Sequence, residues 1–332
     1  MINFFKDFLN FLKLLKKNNQ KKICFFNESL FTFQYLEPYI KSKSKKKKIL
    51  IVSFCDLVLN DRNITSITLK TNFFRELYFL TSKNKIIYST TPDLGNSIFK
   101  RSKFQKNKYI YLQHSSVGLV KAYNDKAFIF FDAIQTTNKF QHKDVDYINL
   151  KNNLKIRKFK SKYEIIKKIN LSKNSEKKLD LIIAPTWSTN FYTSNFYHFL
   201  ELLIKQGFKL KVRPHPMSIK KKEININFLK KFGVEIDNSL IPDFSQTDNL
   251  ISDHSGIFIE FMLNKKRKPI LINTPEKNLS KKNLNIISFE KYLRDKYSIQ
   301  TTFEEIIDND FEILKLQDEL SLLNTNFEDY FF

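Results

Sequence analysis

Short apolar segments that each end in a polar turn recur along the chain. In the first half they cover residues 23–26, 49–54, 85–89, 109–112 and 133–136, with weaker segments at 128–130 and 147–149. In the second half they cover residues 181–184, 209–212, 250–252 and 269–272. Apolar runs of this length without alternation are typical of strands buried on both faces of a parallel sheet. Each segment is therefore predicted to be a strand.

Apolar positions at helical spacing fill several of the intervals, at residues 31–40, 71–80, 190–206 and 257–264. Strands that alternate with helices predict an α/β fold with parallel sheets. We divide the chain into an N-terminal helix (1–20), a Rossmann-like domain (21–150), a lysine-rich linker (151–178), a second domain (179–310) and a C-terminal helix (311–332). The helical pattern at that end covers residues 304–324.

The N-terminal helix, predicted over residues 1–17, is strongly amphipathic. Phenylalanine and leucine fall on one face and lysine and asparagine on the other: Phe4, Phe5, Phe8, Phe11, Leu12 and Leu15 against Asn3, Lys6, Asn10, Lys13 and Lys17. This pattern is typical of a helix that lies in an anionic membrane surface, and equally of a helix packed on the protein's own core. Residues 1–48 carry 12 Lys and three acidic residues, which favours the membrane.

The formal net charge is +23 over 332 residues. Such an excess requires either a surface that tolerates the charge or an acidic partner, which can be nucleic acid, an anionic membrane or a phosphate-rich substrate. The lysine run at 41–48 has no aromatic residue between its lysines, so we interpret it as a solvated loop and expect no nucleic-acid partner.

Cys24 and Cys55 are the two cysteines. They are too few for a disulfide framework and lack the Cys and His spacing of a zinc site, which predicts a reducing, cytoplasmic setting. The polar turns carry no cluster of carboxylates, so neither a metal nor a cofactor is expected.

Two polar turns in the second half have the pattern of a phosphate site. The strand at 209–212 runs into Arg213, Pro214, His215 and Pro216, and the two prolines stiffen this corner. The strand at 250–252 runs into Asp253, His254, Ser255 and Gly256, which open a helix. A helix N-terminus presents free N–H groups to an anion, and glycine allows close approach. Glu260, one turn further along, is predicted to look back toward the turn and accept from ribose hydroxyls.

Two polar turns of the first half are candidates for chemistry. Asp93 follows the strand at 85–89, and His114, Ser115 and Ser116 follow the strand at 109–112. Ligand groups in such folds gather at the carboxyl ends of parallel strands. An imidazole has a suitable pKa for a general base at neutral pH. A histidine that only bonds its own loop would have the same sequence pattern.

These motifs, in this order, resemble the CDP-glycerol glycerophosphotransferase family of teichoic-acid and capsule enzymes. The segments that carry the resemblance are TTPDLGNSIFKRS, YIYLQHSSVGLVKAYNDKAFIFFDAI, LIIAPTW, VRPHP and LISDHSGIFIE. The resemblance implies a GT-B fold, with two Rossmann-like domains facing a central cleft. One departure is His254, because family members usually carry tyrosine or tryptophan there.

The resemblance also implies roles for the turns. His114 matches the proposed general base. Apart from the resemblance, Asp93 at the neighbouring strand end is the next candidate for the base, and Ser115, Ser116 and Lys121 are expected to form an acceptor loop. Arg213, His215, Asp253, Ser255 and Gly256 match residues that surround the donor's phosphates.

The leading hypothesis is transfer of glycerol phosphate, or a related polyol phosphate, from a CDP-linked donor to a hydroxyl of a cell-surface glycan or lipid-linked acceptor, with release of CMP. The enzyme would lie at the cytoplasmic face of the cytoplasmic membrane. Two alternatives remain: a GT-B glycosyltransferase that uses a nucleotide sugar, and a basic nucleic-acid-binding protein without catalysis.

Overall fold

The computed structural model describes residues 2–17, 22–95, 101, 106–124, 126–170, 179–275, 287–315, 320–322 and 325–332. The chain divides into two compact units, Met1–Glu164 with Phe331–Phe332, and Ile165–Tyr330. Each unit contains one sheet in which every pairing of neighbouring strands is parallel. This confirms the predicted α/β class and its two Rossmann-like domains.

Unit 1 contains a seven-stranded sheet. Its strands are β1 (Ile23–Asn27), β2 (Ile49–Ser53), β3 (Ile64–Thr68), β4 (Ile86–Ser89), β5 (Lys108–Tyr111), β6 (Ala133–Thr136) and β7 (Arg157–Lys160). Its helices are α1 (Ile2–Lys17), α2 (Leu30–Ser44), α3 (Asn72–Thr81), α4 (Leu119–Ala122) and α5 (Lys139–Asn152). The strand order is β3-β2-β1-β4-β5-β6-β7, so the order reverses between β1 and β4. Ligands of open α/β sheets bind outside the carboxyl ends of the strands at such a reversal.

Unit 2 contains a six-stranded sheet. Its strands are β8 (Leu181–Ile183), β9 (Leu210–Val212), β10 (Glu235–Ile236), β11 (Leu250–Ser252), β12 (Ile270–Ile272) and β13 (Ile299–Thr301). Its helices are α6 (Ile165–Asn170), α7 (Ser194–Lys205), α8 (Pro216–Lys220), α9 (Ile226–Lys231), α10 (Ile257–Lys265), α11 (Phe289–Tyr297) and α12 (Phe303–Asp308). The order β10-β9-β8-β11-β12-β13 reverses between β8 and β11. The phosphate-site motifs follow β9 and β11, and β11 lies at the reversal.

The cores of both units follow from the apolar patterns. In unit 2, α7 places Phe196, Phe199, Leu200 and Leu203 in the core cluster with the strand residue Leu181, which is the spacing of one helical face. In unit 1, strand residues such as Phe25 and Ile51 pack with Leu36 and Ile40 of α2. Local capping fixes the helix starts: Ser29 and Thr32 form a capping box at α2, as Thr302 and Glu305 do at α12.

Helix α1 is present as predicted and packs on unit 1 through one side. Phe11 and Leu14 are buried. Its single acidic residue, Asp7, is 2% exposed and accepts a hydrogen bond from the Thr71 N–H, at the start of α3, over 2.6 Å. The other apolar side chains remain exposed: Phe4, Phe5, Phe8, Leu9, Leu12 and Leu15. The helix therefore uses a narrow stripe for docking and leaves a wide apolar surface uncovered.

Some predicted elements were wrong. Residues 128–130 form a turn, and residues 147–149 lie inside α5. The predicted linker (151–178) contains β7 and α6, and the two units divide between Glu164 and Ile165. Strand β7 has the sequence RKFK. This edge strand was missed because it lacks the apolar pattern of a buried strand.

The continuous helix predicted over 304–324, and the C-terminal helix assigned to 311–332, were also wrong in the part that the structure describes. Helix α12 ends at Asp308 because Asp310 and Phe311 adopt left-handed backbone angles, with φ of 46° and 56°. Among residues 312–315, 320–322 and 325–332, which the structure describes, the helical elements are short 3-10 turns at Glu312–Leu314 and Phe327–Tyr330. In the described parts of the chain, we find no helix long and apolar enough to cross a membrane.

Candidate active site

His114 lies just beyond the carboxyl end of β5 and contacts two tyrosine hydroxyls. Its Nδ1 is 3.0 Å from Tyr111 Oη, and its Nε2 is 3.3 Å from Tyr123 Oη. The Tyr35 ring completes an aromatic enclosure, with its centroid 6.2 Å from that of the imidazole. Burial in this enclosure lowers the pKa of His114 to about 4, against the opposing effect of a hydrogen bond with the Thr90 backbone. His114 is therefore neutral near pH 7 and keeps a lone pair for accepting a proton.

The loop that carries His114 is held from beneath by amide side chains around the start of α5. Gln141 Nε2 donates to the carbonyl oxygens of Ser115 at 3.2 Å and Val117 at 2.8 Å. Asn138 Nδ2 donates to the Ser116 carbonyl at 2.8 Å. These bonds satisfy three consecutive carbonyl groups of an irregular segment, so the backbone of the predicted acceptor loop is fixed.

Asp144 fastens the far end of the same loop, where α4 begins. Its carboxylate accepts from the Leu119 N–H at 2.6 Å. Burial raises the pKa of Asp144 to about 6, against the lowering effect of the Leu119 and Val120 N–H groups. Lys121 belongs to α4, but its side chain lies outside the described residues.

Asp93 fastens a neighbouring loop and makes no described hydrogen bond to His114. Its N–H donates to the Ala127 carbonyl at 2.9 Å, and its carboxylate accepts from Asn124 Nδ2 at 2.5 Å. Asp93 has a positive φ of 62°, which an aspartate tolerates better than most residues. The contact joins the loop after β4 to the segment that follows Tyr123.

The sequence interpretation overlooked several polar groups of this corner. Thr91 Oγ1 donates to Glu28 Oε2 at 2.9 Å, which bridges the ends of β4 and β1 at the reversal of strand order. The buried hydroxyls of Thr90 and Ser116 have no hydrogen-bond partner among the described residues. Glu28 and Thr90 each follow a predicted strand, so their position was a usable signal. The sequence held no comparable signal for the partners of His114, because a strand pattern does not fix the directions of side chains around a loop.

Arg213 is directed into a network with the segment after β10. Its Nη1 donates to Asp237 Oδ2 at 2.6 Å and to Ser239 Oγ at 2.8 Å. The side chains of Arg213 and Asp237 are only 12% and 11% exposed. Burial alone would raise the pKa of Asp237, but the Arg213 charge and the Ser239 hydrogen bonds outweigh it and hold this pKa below its usual value. The ion pair holds the loop after β9 against the loop after β10.

His215 closes the same corner as the N-cap of α8. Its Nδ1 accepts from the Met217 N–H at 3.1 Å, which leaves the proton of a neutral ring on Nε2. The Trp187 ring lies with its centroid 6.2 Å from that of His215, and the Lys221 ammonium lies 4.1 Å from the Trp187 centroid. His215 therefore lies beside an aromatic and cationic surface.

Asp253 is fully buried and joins the two strand ends at the reversal of unit 2. Its Oδ1 accepts from the Thr186 N–H at 2.8 Å and from the Ser255 N–H at 3.0 Å. Its Oδ2 accepts from Thr189 Oγ1 at 2.7 Å. Burial raises the pKa of Asp253, although these hydrogen bonds act against the shift. The buried Asp253 carboxylate thus fixes the conformation of the turn through these three hydrogen bonds.

The remainder of the turn leads into α10. Gly256 is the N-cap, and Glu260 in the first turn of the helix is 8% exposed. His254 is held between the Thr274 carbonyl, 3.0 Å from Nε2, and Arg294 Nη1, 3.3 Å from Nδ1. Since the arginine can only donate, Nδ1 accepts and the proton lies on Nε2. His254 therefore anchors the turn to the β12 end of the sheet.

Two parallel-sheet Rossmann-like units, each with a polar corner at the carboxyl ends of its strands, are the components of a GT-B fold. No family model and no curated protein sequence matches the chain. Among solved structures, the chain is similar to the wall teichoic acid polymerase TagF. A histidine-to-alanine variant gives a TM-score of 0.59 at 14% identity and covers 100% of this chain and 94% of that one. A histidine-to-asparagine variant soaked with CDPG gives 0.61 at 13% identity, covering 100% and 93%. At these identities the likeness establishes the fold.

Proposed function

We propose that the protein transfers glycerol phosphate, or a related polyol phosphate, from a CDP-linked donor to a hydroxyl of a surface glycan or lipid-linked acceptor. The observation that carries the proposal is His114: a neutral imidazole on a fixed loop beside the strand reversal of unit 1. The proposal is further supported by the fold that the chain shares with TagF, because one TagF structure was soaked with CDPG.

In the proposed reaction the acceptor hydroxyl gives its proton to His114 while its oxygen bonds to the β-phosphorus of the donor. The bond from that phosphorus to the bridging oxygen breaks, and the electron pair leaves with CMP. Such a transfer needs one base and several groups that hold phosphate charge. Ser115, Ser116 and Lys121 are proposed to line the acceptor side.

The donor's diphosphate is proposed to bind at the second polar corner. The N-terminal N–H groups of α10, which follow Gly256, can donate to phosphate oxygens. His215 is assigned to the same phosphates, and Glu260 is assigned to the ribose hydroxyls. Arg213 and Asp253 are assigned a supporting part in this proposal. Their charged groups already hold the surrounding loops, so they act on the donor by fixing the groups that touch it.

A panel of nucleotide donors tests the proposal. A ligand that binds only the folded state stabilises it by about 2.7 kcal/mol at one hundred times its dissociation constant. CDP-glycerol or CDP-ribitol should therefore raise Tm and yield CMP when a hydroxyl acceptor is present. Stabilisation by a UDP- or CMP-sugar with transfer of the sugar would favour the glycosyltransferase alternative. Salt-sensitive binding to DNA or RNA, with no response to any donor, would favour the nucleic-acid alternative.

The acceptor is proposed to be reached at the cytoplasmic face of the membrane through α1. The uncovered side of α1 carries Phe5 at 65%, Leu9 at 43% and Leu12 at 40% exposure. Lys6, Lys13 and Lys16 are also exposed on this helix. Exposed apolar side chains next to lysines are complementary to an anionic lipid surface.

Flotation with anionic liposomes tests this part of the proposal. Combined replacement of Phe5, Leu9 and Leu12 by serine should abolish flotation without loss of Tm, because none of the three is buried. Leu150→Ser is a matched control, since Leu150 is 85% exposed on α5. If the triple variant floats as well as the control, α1 does not make the membrane contact.

A further inference from the structure

Glu28 is an acidic side chain at the point where unit 1 reverses its strand order. It follows β1 directly, and its Oε2 accepts from Thr91 Oγ1, just beyond β4, at 2.9 Å. Its Oε1 has no hydrogen bond to any residue that the structure describes, and it is not among the side-chain oxygens that are shut off from solvent. Glu28 therefore has one carboxylate oxygen that is fixed and one that a ligand can reach.

The charge of Glu28 is not used to hold the fold. The chain has 57 Lys and Arg residues against 34 Asp and Glu, so a structural carboxylate has many cations to pair with. Within the described ranges of unit 1, the ion pairs involve other acidic residues. The Arg75 guanidinium packs on the Phe54 ring instead, with Cζ 3.2 Å from the ring centroid. The negative charge of Glu28 is therefore available to a ligand.

The register of the sheet places Glu28 at the same corner as His114. Phe26 of β1 lies opposite Ser89 of β4, which lies opposite Tyr111 of β5. The segments that follow these residues thus leave the sheet at one edge. Strands β1 and β5 are two strand spacings apart, about 10 Å, and the hydrogen bond of Glu28 already spans the first of the two. One small ligand can therefore contact both side chains.

Helix α2 gives a second, independent indication of the same placement. It begins two residues after Glu28, and its Tyr35 ring lies with its centroid 6.2 Å from that of His114. Side chains of a helix lean toward its N-terminus, which here is the end next to Glu28. The first turns of α2 therefore connect the carboxylate to the wall of the histidine enclosure.

We propose that Glu28 binds a second hydroxyl of the acceptor unit whose first hydroxyl gives its proton to His114. This inference rests on the proposed function. An ionised carboxylate accepts hydrogen bonds and cannot donate them, so it suits a hydroxyl. It disfavours a second negative charge beside it. Glu28 then selects an acceptor whose end unit is neutral and rich in hydroxyls, a sugar or a polyol, over one that ends in phosphate.

Titrations by ligand-observed NMR test the site without turnover. The probes are glycerol, methyl glucoside and methyl N-acetylglucosaminide, each compared with its own phosphate monoester. At least one neutral probe should bind the parental protein, and more tightly than its monoester. Glu28→Gln keeps an oxygen for Thr91 and removes the charge. It should weaken the neutral probe by about five- to tenfold, the difference between a charge-assisted and a neutral hydrogen bond, and reduce the preference over the monoester.

Two further variants separate recognition from a structural role. Glu37→Gln is the matched control, because Glu37 is also on α2 and pairs with Lys41 at 2.8 Å; it should leave binding unchanged. Thr91→Val removes the hydroxyl that orients Glu28 and should weaken the neutral probe by about threefold. In the transfer assay Glu28→Gln should raise KM for the acceptor, with little change in kcat or in the donor-induced shift in Tm.

The proposal is overturned if no neutral probe binds the parental protein, or if the monoesters bind as tightly as the neutral probes. Equal losses for both kinds of probe in Glu28→Gln, together with a lowered Tm, would show a structural role and also overturn it. The proposed function has a separate readout. If no CDP-linked donor is turned over while Glu28→Gln still loses the neutral probe, the transfer is wrong and the hydroxyl site stands.

Discussion

The polar corners of the two units both lie at the carboxyl ends of parallel strands, but the groups that contact their central residues differ in kind. In unit 1 the histidine itself contacts uncharged tyrosine hydroxyls, and its loop is held by the amides of Asn138 and Gln141 and, at its far end, by the Asp144 carboxylate. In unit 2 the turns are held by charges, through the buried Asp253 carboxylate and the pair of Arg213 with Asp237.

The difference shows two ways of preparing a site. A base must stay neutral until its substrate arrives, and a neighbouring carboxylate would favour the protonated imidazole. A phosphate site must instead present N–H groups outward. A buried carboxylate does this by accepting from the backbone on its inner side, so that the turn cannot rearrange.

Removing the proposed base should have the largest effect. His114→Ala is expected to lower turnover by about 10²- to 10⁴-fold while the donor-induced shift in Tm is retained. His142→Ala and His198→Ala are the controls, because His142 bonds Thr136 and His198 is exposed on α7. Turnover near the parental value in His114→Ala would rule out its role and make Asp93 the next residue to test.

Removing the carboxylate of the second corner should act on stability and on donor binding together. Asp253→Ala leaves the donors of Thr186, Thr189 and Ser255 without a partner, at about 1–3 kcal/mol for each buried group. We expect Tm to fall by at least several degrees, with loss of the donor-induced shift. Asp253→Asn keeps an acceptor and should be milder. A variant with lowered Tm but parental donor affinity would show that the turn does not face the donor.

Variants of the Arg213–Asp237 ion pair in unit 2 distinguish a direct role of Arg213 from a supporting one. Arg213→Ala should weaken donor affinity or rate roughly tenfold or more, corresponding to about 1.5–3 kcal/mol for a charge-assisted contact. If Arg213 acts by holding the loop, Asp237→Asn should cost nearly as much, and the double variant little more than either. Additive losses would instead show that the guanidinium contacts the phosphates itself.

The pH dependence of stability should contain two opposing contributions from unit 1. The pKa of His114 is lowered to about 4, so its contribution is present above about pH 6.5 and is lost as pH falls toward 4. The pKa of Asp144 is raised to about 6, so its contribution is present below about pH 4 and is lost as pH rises through 6.

Two variants separate these contributions in Tm curves from pH 4 to 7. Asp144→Asn should gain stability over the parental protein as pH rises through this window, because a buried charge is no longer formed. His114→Ala should show the reverse trend, a relative loss toward pH 7. Curves parallel to the parental one would show that the two groups titrate as they do in the unfolded chain.

The sequence predicts the buried strands well and the edges of the sheets poorly. Segments such as 49–54 are apolar because both their faces are covered, and that pattern is visible without a structure. The edge strand β7 needs no apolar run, since its cationic residues face solvent and protect the edge. The apolar residues at 147–149 resemble a strand until α5 is seen to bury Ile148.

The functional residues divide in the same way. His114 and Asp253 could be found because each directly follows a strand, where the chain geometry forces them to the carboxyl edge. Tyr111 and Tyr123 could not be paired with His114, because their contacts depend on a loop that Gln141 and Asp144 shape from another element. The partners of Arg213 were missed for the same reason, since Asp237 is 24 residues away in sequence.

The hydrogen bond between Asp7 and the start of α3 also determines where helix α1 is held on unit 1. Asp7 accepts from the Thr71 N–H, and Asn10 Nδ2 donates to the Thr68 carbonyl at the carboxyl end of β3. Helix α1 is thereby fastened at the same edge of the sheet that carries His114. If α1 rests on a lipid surface as proposed, the height of the base above that surface is set by the fold. The enzyme would then meet an acceptor anchored in the same surface by diffusion in two dimensions. Only an acceptor whose length brings its hydroxyl to the height of His114 would be reached.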